Sequence, residues 1–131
     1  MKAWTLLLPA LALSAVASLA QAADCSYPRS PEAPPDGNTA TKEQMIAAKH
    51  DFDRYNSEMN TYLDCLNHQI DEVKAAAAKD NPKPSADEKK KLDDQQKILV
   101  QKNNAAVDEL QTNVGRFNEQ LKIFKAKNAK S

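Results

Sequence analysis

His68 has more potential chemistry among its near neighbours than any other residue here. Asp64 stands four positions before it and Glu72 four after, which stacks three metal-ligating side chains on one face of a helix. That is an open ladder, whereas a tight zinc site takes four converging ligands, usually from more than one element. The pattern reads first as a solvated helix face carrying a neutral histidine. A metal or small-ligand carrier built on Asp64, His68 and Glu72 is the second functional expectation. His50, beside Asp53 and Arg54, is eighteen residues from His68, about 27 Å along one helix, so the two histidines cannot share an ion.

Other chemistry is thinner still. Ser57 and Thr61 supply hydroxyls, but no glycine-rich elbow precedes them and no base held by a third group accompanies them. Asp93 and Asp94 are adjacent carboxylates on a polar stretch, which reads as solvated charge rather than an acid and base pair. Nothing implies a cofactor, and the expectation is a protein without enzymatic activity. Cys25 and Cys65 are the two cysteines. Neither belongs to a Cys-x-x-Cys motif or a set of metal ligands, so in an exported chain they most simply form one bridge. An intermolecular bond and a free thiol are the alternatives.

Export is what the first residues imply. Lys2 precedes an apolar stretch from Trp4 to Ala20, and Ala20-Gln21-Ala22 places small residues where a signal peptidase inspects them. Residues 1–22 are therefore expected to be a cleaved Sec-type signal peptide. Asp24 stands just before Cys25, where a lipoprotein signal has a small residue. The expected location is the periplasm or beyond, with no stable membrane insertion after cleavage. Removing 22 of the 131 residues leaves 109, enough for one domain. Lys2 leaves with them, so 17 basic and 18 acidic residues remain. Their interleaved signs offer no basic face for nucleic acid.

The elements that must carry these residues are long helices. Glycine occurs only twice, at Gly37 and Gly115, and Ala, Lys, Asp, Gln, Asn and Glu dominate over β-branched and aromatic types. Residues 23–40 hold several prolines and read as an extended arm. Asp36-Gly37 supplies a turn, and Thr41 with Gln44 forms a capping box that opens helix one, expected over about 41–79. Asn81-Pro82-Lys83-Pro84 breaks the helix, giving a turn over 80–85. Ser85 with Glu88 opens helix two, expected over about 86–127. Helices 41–79 and 86–127 so connected form an antiparallel hairpin.

Heptad rows define the expected seam. In helix one they are Met45, Phe52, Met59, Leu66, Val73 and Ala48, Tyr55, Tyr62, Gln69, Ala76. In helix two they are Val100, Val107, Val114, Leu121 and Asn103, Leu110, Phe117, Phe124. Equal rise from a turn near Pro82 sets Phe52 level with Val114 and Tyr62 with Asn103. Leu63, Ile70 and Ala77 add a third row, and Leu63 and Ile70 are the expected contact surface, since two helices alone cannot enclose a core. Cys65 lies about 36 Å along helix one. The sixteen residues before Thr41 span at most about 55 Å, so a bond to Cys25 requires the arm to fold back in the groove between the helices.

Cys25-Ser-Tyr-Pro, Pro34-Pro35-Asp36-Gly37, Thr39-Ala40-Thr41 with Gln44-Met45, and Tyr55-x-x-x-Met59-x-x-Tyr62-Leu63-x-Cys65 together resemble a group of small exported proteobacterial helical proteins of unassigned function. The likeness covers the arm and most of helix one. It implies an envelope protein with a Cys25–Cys65 pairing and transfers no catalytic residue. By architecture the chain is also similar to periplasmic coiled-coil chaperones and adaptor hairpins. The functional expectation is a periplasmic hairpin that works by protein contact, through self-association or as an adaptor or chaperone-like partner.

Overall fold

Two helices, α1 (Lys42–Ala77) and α2 (Ala86–Asn128), make up the fold, seen in a computed structural model that describes residues 24–129. The leader expected over residues 1–22 lies outside the described residues. Both helix starts are set by their caps. The Thr41 hydroxyl accepts from the Gln44 amide at 3.2 Å while the Gln44 side chain accepts from the Thr41 amide at 2.8 Å. Ser85 and Glu88 repeat the arrangement at 3.3 and 2.8 Å. Each box satisfies two amides that have no partner within the helix. Asp87 and Glu88 in the first turn of α2, and Lys125 and Lys127 in its last, complement the helix dipole.

The helices pack antiparallel as an all-α hairpin. Tyr55, Met59 and Leu66 are the largest fully buried side chains, and Tyr62, Ile70, Val73, Leu99 and Ala106 pack with them in the core. Nearer the open end, Phe52 and Phe117 stack with rings 5.2 Å apart and nearly coplanar.

Helix two turns a different row inward from the one its valines suggest. Val100 is exposed, and Val107, Val114 and Leu121 are only half-buried, while Leu99 and Ala106, one residue earlier, are buried. Both phasings share the row Asn103, Leu110, Phe117, Phe124 and differ only in its neighbour. The arm favours this phase where it lies against the side of α2 that carries Glu109 and Gln120, and beyond the disulfide Leu99 is buried in the cluster with Leu66, Ile70 and Val73 of α1. The level pairing also shifts by about one turn. Phe52 meets Phe117 rather than Val114, and Asn103 donates to Asn67 at 3.1 Å rather than meeting Tyr62.

Ile70 is also corrected. It is 7% exposed and belongs to the core, and Leu63 packs half-buried against that core. Their row faces α2 because the seam of α1 is wide enough to take three rows.

The two glycines give opposite expectations for one substitution. A Cβ on Gly37 would stand 2.3 Å from the Gln120 carbonyl oxygen and 2.8 Å from the Phe124 amide nitrogen, both backbone atoms of α2. A Cβ on Gly115 would meet nothing. Gly37→Ala should therefore destabilise by about 1–3 kcal/mol through forced displacement of the arm. Gly115→Ala should stabilise by about 1 kcal/mol through helix propensity. Urea midpoints of the two variants that move in the same direction would refute the packing described.

Candidate functional site

The arm supplies most of the long-range polar geometry of the molecule. It starts at the Cys25–Cys65 disulfide, whose Cα atoms are 5.7 Å apart, and runs back along α1 toward Thr41. The pairing is intramolecular, and among the described residues no cysteine is free. Tyr27 sets its ring edge-on against Tyr62 at 5.0 Å and its hydroxyl donates to Glu109. Ser30 and the buried Tyr55 donate to the same carboxylate at 2.9 and 3.0 Å. One acid on α2 thus collects three hydroxyls from the arm and α1. Farther along, the Glu32 amide donates to Asp51 at 2.9 Å. The Gly37 amide donates to the Gln120 side chain at 2.8 Å, and the Lys127 ammonium donates to the Asn38 carbonyl at 2.6 Å. Asp36 shapes that corner by accepting the Asn38 amide at 2.9 Å on its side chain and the Ala40 amide at 2.8 Å on its carbonyl.

These contacts set the ionisation of the groups involved. The Tyr27 hydroxyl, followed by those of Ser30 and Tyr55, holds the Glu109 carboxyl below its ordinary value against the opposing effect of desolvation. Arg54, 2.6 Å from Asp51, and then the Glu32 amide lower the Asp51 carboxyl. Burial, then donation to Glu109, pushes the Tyr27 hydroxyl well up, and burial raises that of Tyr55.

An acid dependence of stability follows. A carboxyl lowered in the folded state stabilises the fold above its unfolded value, 4.5 for Glu109, and that contribution is lost as pH falls through the lower folded value. Glu109→Gln should therefore cost stability at pH 7, and the gap from the unmodified protein should narrow between about pH 5 and 3. Denaturation curves at those pH values check this, and a gap that stays constant would count against the three-donor arrangement.

The residues singled out for chemistry do not converge. Asp64, His68 and Glu72 are all exposed on α1, and among the described residues no three His, Cys, Asp or Glu stand close enough to hold a metal ion. His50, Ser57 and Thr61 are exposed on the same helix, and Asp93 and Asp94 on α2. The Thr61 hydroxyl donates to the Ser57 carbonyl at 3.1 Å, a local back-bond within the helix. Asp94 is paired with Lys90 at 2.9 Å. Glu109 and Gln120 carry the arm, and nothing local in the sequence marks them, since one is an acid among eighteen and the other a glutamine in a polar helix.

Among the described residues none of the arm lies over the groove beyond the disulfide. Asp24 marks its near end, and a cavity of about 490 Å³ follows, floored by Val73, Ile98 and Leu99. Ile98 is 53% and Val100 37% exposed. At the loop a second groove of about 410 Å³ opens over Ala76, Pro82, Pro84 and Leu92. Among the described residues no helix is long and apolar enough to cross a membrane. Comparison with protein families, curated proteins and solved structures found no match for the chain.

Proposed function

We propose that this chain is a non-enzymatic, exported helical hairpin that acts in the periplasm by protein contact, through self-association or as an adaptor or chaperone-like partner of another envelope protein. The observation that carries the reading is the unequal cover of the two halves. From Cys25 to Ala40 the arm lies over the groove near the open end, whereas among the described residues nothing lies over the groove of the loop half, which Ile98 lines while 53% exposed. Apolar surface bordered by charged side chains is the usual mark of a docking surface. A disulfide suits an oxidising compartment, which supports the export read from residues 1–22.

A photo-crosslinker at position 98, with the oxidised protein in periplasmic extract, tests this. Adducts formed at position 98 and absent from a control at the exposed Lys49 are the expected result. A strict monomer in sedimentation that yields no adduct at position 98 would overturn the proposal.

A further inference from the structure

We infer that the loop end of the hairpin docks an acidic polypeptide segment carrying an apolar anchor. The inference rests on the contact reading above and gives that partner its chemistry. The groove at the loop has an apolar floor, Ala76, Pro82, Pro84 and Leu92, and a rim of three lysines, Lys79, Lys83 and Lys91. Among the described residues neither Lys79 nor Lys83 takes part in an ion pair, and Lys91 faces only the capping Glu88, although Lys74, Lys90 and Lys97 nearby are matched with Asp71 and Asp94. The one carboxylate lining the groove, Glu88, is engaged at the helix cap, where it accepts the Ser85 amide at 2.8 Å. Three ammonium groups around an apolar opening, against one carboxylate already engaged at the cap, attract further carboxylates, while the floor between them takes an aliphatic or aromatic side chain. The partner chemistry follows from that combination.

Shape and flanking charge select the class of partner. The groove is shallow and open along its length, whereas small-molecule sites enclose most of their ligand. Asp80 in the loop and Asp87 in the first turn of α2 are exposed and would face an anionic bilayer with like charge. Neither lines the groove, so a polypeptide lying in it avoids charges that a flat membrane would meet, and an acidic polypeptide fits better than a lipid surface.

The test uses the oxidised protein and four probes: a glutamate–tyrosine copolymer, polyglutamate, a lysine–tyrosine copolymer and phosphatidylglycerol vesicles. The glutamate–tyrosine copolymer should bind tightest, more weakly as salt rises, and should shift the amide signals of Lys79, Lys83, Lys91 and Leu92. The variant Lys79→Gln, Lys83→Gln, Lys91→Gln should keep its melting temperature, because those side chains are exposed. It should lose on the order of tenfold in affinity, the combined effect of three exposed charge contacts. Unchanged affinity in the variant, equal binding of polyglutamate, or signals moving elsewhere would overturn the inference. So would vesicles moving these signals while the copolymer does not. Adducts at position 98 persisting alongside a silent copolymer would remove the acidic chemistry and leave the contact reading standing. Loss of both would remove both.

Discussion

Replacing Cys65 with serine is expected to lower the unfolding free energy by about 4 kcal/mol, the chain-entropy cost of a closed loop of this size. The bond joins residues 40 apart in sequence and closes a loop made of the arm and the first two-thirds of α1. Small domains have only about 5–15 kcal/mol in total, so this one bond carries a large share. Helix content should change little at first, because the bridge joins the arm to α1 and takes no part in either capping box. The arm, by contrast, should loosen, since Glu109, Asp51 and Gln120 then hold a segment whose free end is no longer fixed. Cys25→Ser and chemical reduction should give the same shift. Urea denaturation of oxidised protein against either variant measures it, and a difference below about 1 kcal/mol would mean that the polar contacts alone hold the arm, against the loop-closure argument.

Leu66→Ala should cost about 2–5 kcal/mol. Leu66 is 1% exposed and sits in the cluster where Tyr62, Ile70, Leu99 and Ala106 meet, one residue past the disulfide. Truncation there leaves a cavity that two rigid helices tied by a nearby bridge cannot easily close. Ile98→Ala removes a side chain of the same volume class from the surface and should change stability by less than about 0.5 kcal/mol. The contrast separates the two roles assigned to apolar residues in this chain. A large stability loss at Ile98 would show that it belongs to the core and would remove the main support for a docking surface in the loop half.

Local signals explain why so much of the fold could be read from sequence. Thr41 with Gln44 and Ser85 with Glu88 act over three residues, Pro82 and Pro84 act on their immediate neighbours, and the heptad of α1 repeats within one helix. Each of these is complete without knowledge of the rest of the chain. The phase of α2 was not legible in that way. The valine row and the row through Leu99 and Ala106 both make acceptable heptads, and contacts from far away in sequence, the folded-back arm at one end and the Ile70–Val73 face of α1 at the other, select between them. Glu109 was hidden for the same reason. It meets Tyr27 across 82 positions and Ser30 across 79, and no local pattern marks a carboxylate that far-off hydroxyls will reach. Ile70 shows the complementary error, because a third apolar row reads as surplus until the width of the facing helix is known.

The doubled-back arm also fixes where the chain departs from the rod. The rod is about 65 Å long on its longer side, and Asp24 lies alongside its waist, not at either tip. Any segment joined to the amino side of Asp24 pulls there, and the first thing it meets is the covalent Cys25–Cys65 link one residue on. A load on that segment passes straight into the flank of α1, bypassing the hydrogen bonds that seat the arm. Held at that point, the molecule is a beam on a central pivot, with its loop tip and its open end both left free to swing.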